Sequence, residues 1–299
     1  MGNAAMVLPD ITLMSAAAFS MESLATAYNQ TRVDYIVPMP MNAARLAAYM
    51  RLYDVDVAAS VVALDGDTIV GLAMLGVRSG RAWITRLGVL PNRRKFGVGR
   101  LLMDALLDAA AEHECPLVTL EVIVNNEPAH QLFLRCDFRE VNRLLVLRRP
   151  PRAVLPALVG NASWFGRFPA LDVLKTRPGS APWTNDVHSF NNAKAVEGVH
   201  VMLPNGDNGW AIFQREMWVL SHIVVHTISG DPVQVGIAAL SHIHNRYADM
   251  DTHAENISVD DPHCPAFAAL GYVEAFRRIE MNRHPQTHTS HIITTREIL

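Results

Sequence analysis

The stretch Leu87-Gly88-Val89-Leu90-Pro91-Asn92-Arg93-Arg94-Lys95-Phe96-Gly97-Val98-Gly99-Arg100 decides how this chain is read. The apolar run 81–90 predicts a strand. Val98, Leu101, Leu102, Ala105, Leu106 and Ala109 fall at i, i+3, i+4, i+7, i+8 and i+11, the stripe of a helix that packs one face on a sheet. A basic, glycine-containing loop joins the two. Gly97 and Gly99 lack Cβ atoms, so backbone N–H groups can approach an anion there. The helix N-terminus adds partial positive charge, and Arg94, Lys95 and Arg100 add whole charges. The expected ligand is a pyrophosphate. A Walker loop needs Gly-Lys-Ser/Thr, which this loop lacks, and a dinucleotide fingerprint needs a third glycine where Leu102 stands. A tight strand-to-helix turn with solvated arginines is the structural alternative.

Working outward, Ser20 is placed to cap a helix through Met21, Leu24, Ala25 and Tyr28, and residues 42–53 repeat apolar side chains at helical spacing. Residues 60–64 and 68–77, joined by Asp65-Gly66-Asp67, predict a hairpin. Downstream, 118–124 predicts a short strand, 128–135 a helix opening with proline, and 138–147 a closing strand. This is a mixed α/β unit ending near Arg149.

Arg94-Lys95-Phe96-Gly97-Val98-Gly99 fits the pattern Arg/Gln-x-x-Gly-x-Gly/Ala, and Leu120-Glu121-Val122 is followed by Asn126, Ala129, Leu132-Phe133 and Phe138. On these two motifs the sequence resembles the GNAT superfamily of acyl-CoA-dependent N-acetyltransferases over roughly residues 12–149. The resemblance implies two strands, 81–90 and 118–124, that splay apart to admit acetyl-CoA as cosubstrate, with no metal. It places Leu87, Gly88 and Val89 along the pantetheine, a strand N–H there at the reaction's oxyanion, and Asn126 on the pantetheine arm. The loop from Arg94 through Lys95, Phe96, Gly97, Val98 and Gly99 to Arg100 would hold the pyrophosphate. Phe133 joins the cofactor residues, although it stands where many members carry a tyrosine that protonates the leaving thiolate. Asp137 replaces the usual glycine before Phe138. An attacking amine must lose a proton, and Glu121, on the strand beside the cleft, is the first candidate base. Tyr35 is the second catalytic candidate and Tyr53 an alternative. The plain readings are a strand carboxylate paired with an arginine and two packed aromatics.

An ungapped offset of 134 aligns Glu121 with Glu255, Ile123 with Ile257, Pro128 with Pro262, Phe133 with Phe267, Glu140 with Glu274, Arg143 with Arg277 and Arg149 with Arg283. Chance would give about two such identities over this span. An offset of 135 pairs Trp83-Ile84 with Trp218-Val219. The second half therefore reads as a diverged copy. The fold class expected is α/β (α+β): two GNAT-like mixed-sheet domains in tandem, each with a central, mostly antiparallel sheet flanked by helices. The divisions are a catalytic domain over 1–149, a linker over 150–185 that includes an apolar stretch, 154–174, without a clear pattern, and a degenerate domain over 186–299. After Val225 the copy reads His226-Thr227-Ile228-Ser229-Gly230-Asp231, without the arginine–glycine cluster and with an acid that repels phosphate.

The function expected is transfer of an acyl group from acetyl-CoA to a primary amine of a small-molecule or peptide acceptor, by direct attack in a ternary complex. The alternative is a non-catalytic acyl-CoA-binding or regulatory module, which Phe133 favours. With 26 basic and 29 acidic residues the net charge of -3 offers no excess for a nucleic-acid backbone. Three scattered cysteines fit a reducing, cytoplasmic setting. The apolar run 11–21 is too short for a membrane span, and Met6 spoils the myristoylation pattern after Gly2. Asn161-Ala162-Ser163 is a glycosylation sequon without meaning in a cytoplasmic protein. Neither His242-x-His244 nor His284, His288 and His291 have recognisable metal-ligand spacing. A homo-oligomer is compatible with all of this.

Overall fold

The structure, a computed structural model, describes residues 11–151 and 157–284. The first half runs β1 (Ile11–Ser15), α1 (Met21–Gln30), α2 (Ala43–Leu52), β2 (Val55–Asp65), β3 (Thr68–Arg78), β4 (Arg81–Val89), α3 (Val98–Glu112), β5 (Val118–Ile123), α4 (Glu127–Leu134) and β6 (Arg139–Arg149). Ser20 caps α1 by accepting from Ser23 N at 3.1 Å, and Asn42 caps α2 by accepting from Arg45 N at 2.9 Å. The second half follows the same plan: β7 (Asn161–Phe165), α5 (Arg167–Lys175), α6 (Val187–Asn192), β8 (Val196–Met202), β9 (Asn208–Arg215), β10 (Val219–Ser229), α7 (Pro232–Arg246), β11 (Asp251–Ser258), α8 (Cys264–Ala269) and β12 (Val273–Arg283). α3 and α7 start 134 residues apart and end 134 apart, as do β6 and β12. The offset read from scattered identities is thus the offset of whole elements.

The fold is mixed α/β, with one continuous sheet ordered β1-β2-β3-β4-β5-β12-β6-β11-β10-β9-β8-β7. Only the β4–β5 and β10–β11 pairs are parallel. In the first half the apolar face of α3 packs on one side of the sheet through Val98, Leu102 and Leu106, while Leu24, Tyr28, Leu46 and Met50 of α1 and α2 pack the other. In the second half α7 and α5–α6 repeat this arrangement. The stretch read as a linker holds β7, paired with β8, and α5, whose Ala170, Leu171 and Leu174 are buried against the second half. Those residues form sheet and core because their apolar positions find partners that lie after residue 195. Gly2, Met6, part of 154–174, His288 and His291 lie outside the described residues.

The halves exchange strands. β12 lies between β5 and β6, antiparallel to both, and β6 in turn lies between β12 and β11. Each half's closing strand therefore completes the other half's sheet, and β5 has no direct ladder to β6. A fragment ending at Arg149 would leave Val118–Ile123 with an open edge where β12 belongs, so it should aggregate or melt well below the full chain. The full chain should instead unfold in one transition, and thermal denaturation of both would check this.

Candidate active site

The β4–β5 ladder pairs Ala82, Trp83 and Ile84 with Val118, Thr119 and Leu120 and stops there. Beyond Ile84 the strands diverge, leaving a gap bordered by residues 85–89 and 121–123. A bulge between β3 and β4 accompanies the divergence, with Arg86 at φ 55°. Bulges re-aim side chains, and this one brings both Thr85 and Arg86 against Tyr49 of α2: Thr85 Oγ1 lies 2.7 Å from Tyr49 Oη, and the Arg86 guanidinium lies 4.1 Å from the ring centroid.

At the mouth of the gap, Gly97 caps α3 with φ 84°, a conformation that favours glycine. Among the described residues, the N–H groups of Lys95, Phe96, Gly97, Val98 and Gly99 donate to no protein acceptor. Five consecutive free amides at a helix N-terminus are the chemistry of an anion cradle, and they fit a pyrophosphate. The arginines are arranged differently from their sequence reading. Arg94 forms a two-pronged ion pair with Asp34 at 2.7 Å and also donates to Thr31 O and Val89 O, at 3.1 Å each. It ties the loop to the end of α1. Arg100 is paired with Asp104 and donates to Arg135 O at 2.9 Å, and Arg93 is paired with Asp65. Lys95, exposed and without an ion-pair partner among the described residues, is the loop's uncommitted cation. Leu87 O accepts from Arg32 Nη2 at 3.0 Å, so both gap-facing carbonyls, Leu87 and Val89, are held by guanidinium groups. Gly88 is buried against Thr31, which a Cβ would meet at 2.4 Å. Asn126 precedes α4, and its side chain makes no hydrogen bond among the described residues. Phe133 is buried beside Phe138, with ring centroids 6.3 Å apart.

Glu121 is the first β5 residue past the last β4 pairing. Its Oε2 accepts from Trp83 Nε1 at 2.7 Å and its Oε1 from Asn256 Nδ2 at 3.3 Å. Burial pushes its carboxyl up to about 7, against the opposing pull of Arg278 and the Trp83 hydrogen bond. Its repeat partner Glu255 is half-buried, and its Oε2 accepts from Arg278 Nη2 at 3.0 Å; that guanidinium holds its carboxyl below the usual range. The two equivalent glutamates are thus shifted in opposite directions, Glu121 toward neutrality and Glu255 toward the acid range. Removing the Trp83 donor should raise Glu121 further. A Trp83→Phe variant is expected to show its acid-side activity midpoint displaced upward by about one pH unit in a pH–rate profile.

Tyr35 lies under the Arg32 guanidinium at 4.4 Å, and its hydroxyl makes no hydrogen bond among the described residues. Tyr53 is buried and its hydroxyl lies 2.9 Å from His222 Nε2, at the junction of the halves. No hydrogen bond joins either tyrosine to Glu121. Trp83, Arg86, Asn256 and Arg278 were missed in the sequence. The repeat, which made Glu255 the partner of Glu121, was the signal that could have led to Asn256.

The second half has the same frame with its openings filled. β10 and β11 pair only at Val219–Asp251 and Leu220–Thr252, and the turn Trp183–Asn185 packs between them, with Asn185 Nδ2 donating to Glu255 O at 2.7 Å. At the N-terminus of α7, Asp231 accepts from Val233 N at 3.0 Å, and Asp207 accepts from Asp231 N at 3.1 Å. Carboxylates of the protein stand where the first half presents bare amides. His242 and His244 face different partners, Val159 O and Tyr272 Oη. Among the described residues no three His, Cys, Asp or Glu side chains form a metal-binding group, and no helix is long and apolar enough to cross a membrane.

The sequence pattern of the acetyltransferase (GNAT) family matches residues 24–138, which include the whole gap and its anion cradle. A mycothiol acetyltransferase of Clavibacter sepedonicus is 38% identical over 86 residues, a match covering 28% of this chain and 28% of that protein. Among solved structures, a tandem GNAT protein from the clavulanic acid biosynthesis pathway has a TM-score of 0.64 at 14% identity, covering 92% of this chain and 98% of its own. A GCN5-related N-acetyltransferase from Sphaerobacter thermophilus has a TM-score of 0.68 at 14% identity, covering 93% of this chain and 97% of its own. The first half is thus similar to the GNAT family over residues 24–138, and the full length has the fold of these solved tandem and GCN5-related structures.

Proposed function

We propose that the first half transfers the acetyl group of acetyl-CoA to a primary amine of a small-molecule or peptide acceptor, in a ternary complex. The observation that carries this is the continuity of the cleft: free amides at its mouth, diverging strands along it, and a carboxyl that titrates near neutrality at its apex. Acetyl-CoA supplies the activated thioester. The Lys95–Gly99 amides hold its pyrophosphate, and the backbone of Leu87–Val89 and the Asn126 amide line its pantetheine arm. Arg94 acts by fixing the loop to Asp34. Glu121 takes the proton from the acceptor ammonium. The amine nitrogen bonds to the carbonyl carbon as the carbon–sulfur bond breaks, the nitrogen gives up its surplus proton to water, and the thiolate takes its proton from water, since Phe133 has none to give. Alignment of the two substrates along one cleft supplies much of the acceleration.

The second half shapes the acceptor side: its Asn256 reaches Glu121, and Trp183 stacks on Trp83 with centroids 5.7 Å apart. The test is release of free thiol from acetyl-CoA by the full chain with a panel of amines. The relative named for mycothiol is the reason to put small molecules first. Acetyl-CoA binding without thiol release across the panel would instead favour a binding module.

A further inference from the structure

Guanidinium groups in this protein commonly lie against carboxylates: Arg78 on Asp54, Arg81 on Asp186, Arg93 on Asp65, Arg94 on Asp34 and Arg278 on Glu255. Arg32 and Arg86 do not. Neither has a carboxylate oxygen within 4.0 Å among the described residues. Both flank the same ring, with guanidinium carbons 4.8 Å and 5.5 Å from the Tyr28 centroid. Each stacks on a second tyrosine, Arg32 on Tyr35 at 4.4 Å and Arg86 on Tyr49 at 4.1 Å. In both, Nε is sealed from solvent with no acceptor. Their neutral partners are few: Arg86 Nη1 donates to Tyr28 Oη at 3.2 Å and to Met39 Sδ at 3.8 Å, and Arg32 Nη2 to Leu87 O at 3.0 Å.

Two partly buried cations beside one aromatic ring, neither with a carboxylate in contact and each with a sealed, acceptor-less Nε, are held at a cost in desolvation and mutual repulsion that Glu255, acting on Arg86 from a distance, relieves only in part. The tyrosine π-faces offset only part of this. An oxyanion received between them would offset much more, because a guanidinium fork matches a carboxylate's two oxygens. The bulge at Arg86 turns this side chain toward α1 and α2. Trp83, which holds Glu121, is buried against those same two helices.

The geometry points to a carboxylate subsite formed by Arg32 and Arg86 around Tyr28, which selects acceptors that carry an acid group beside the reacting amine. This rests on the acetyl-transfer reading above. The acceptor is a zwitterion: its ammonium is drawn to Glu121, and its carboxylate to the arginine pair.

The test uses matched acceptors that differ only in charge, glycine against glycinamide and β-alanine against β-alaninamide, with acetyl-CoA and the full chain. The acid is expected to exceed its amide in kcat/KM by about tenfold to a hundredfold, the effect of a charge-assisted pair. In Arg86→Gln and Arg32→Gln that ratio should fall toward one through KM, while Arg86→Lys keeps part of it. A wild-type enzyme that treats acid and amide alike, or a preference that survives both glutamine variants, overturns the subsite. So does a variant that loses turnover only with succinyl-CoA, since the cation would then read the acyl group. A second readout is independent of turnover: the acids should raise the thermal midpoint of the wild type and not of Arg86→Gln. If no amine is acetylated, the transfer reading falls while this shift still decides the subsite, and its absence would sink it.

Discussion

Replacing Glu121 with glutamine is expected to lower kcat/KM for acetyl transfer by about 10²- to 10⁴-fold, the range for loss of a general base. The same change should make the protein more stable at pH 8. The sign follows from the carboxyl's rise to about 7. Between its unfolded value near 4.5 and that folded value, the native state binds a proton that the unfolded state has lost. Stability from this group is therefore fully present below pH 4.5 and declines as pH rises toward 7. Above that, a buried anion without a cation in contact is carried by two hydrogen bonds, from Trp83 and Asn256. Glutamine keeps the shape and removes the charge, for a gain of about 1–3 kcal/mol at pH 8 that shrinks toward pH 5. In the wild type, kcat/KM should climb through pH 7 as the base is freed, and in the variant that limb should flatten. Parallel pH–rate profiles and thermal melts check both halves. A variant that keeps its activity, or its acid limb, would remove Glu121 from the mechanism. A carboxylate with only a structural role would lose stability and leave the pH profile unchanged.

The second large effect is expected at Gly99→Glu. A Cβ at Gly99 would sit 3.2 Å from Leu132 Cδ2 and 3.9 Å from Val89 Cγ2, so the Leu132 side chain would have to give by a few tenths of an ångström. The added carboxylate also brings negative charge to the helix end whose amides await an anion. Together these should weaken acetyl-CoA binding at least about a hundredfold, or roughly 2.7 kcal/mol. The fold should survive, because the clash falls on the end of a flexible leucine. Calorimetric titration with acetyl-CoA, beside a circular dichroism melt, separates the two effects. Arg94→Glu is a less clean probe than its place in the motif suggests. It would set a second carboxylate beside that of Asp34 and release the loop from α1, so lost binding would report loop geometry as much as lost charge.

Much of the first half was legible because its signals are local. The cap at Ser20, the stripe from Val98 to Ala109 and the glycines of the loop each act within a few residues of where they are written. The candidate base was legible for the same reason, since Glu121 alternates on a short strand. Its environment was not. Asn256 reaches it from the other half, and Trp83 is aligned with it only after β4 and β5 pair. The commitments of Arg94, Arg93 and Arg100 to Asp34, Asp65 and Asp104 also escaped the sequence. A cationic loop can aim its charges at a ligand or at neighbouring acids, and only the fold decides. The exchange of β6 and β12 was hidden by the repeat itself: two similar closing strands carry similar patterns, and nothing in either says which sheet it will join.

That exchange bears on how the protein comes into being. Within the first half β5 can pair with β4, yet its other sheet neighbour, β12, exists only when residues 273–283 have been made. At synthesis rates of about 5–20 residues per second, the first half waits roughly 7–27 seconds between the emergence of β6 and that of β12. During that interval β5 and β6 both present raw edges to other nascent chains. The ribosome-bound intermediate is therefore the chain's most exposed form, and the first half is finished last.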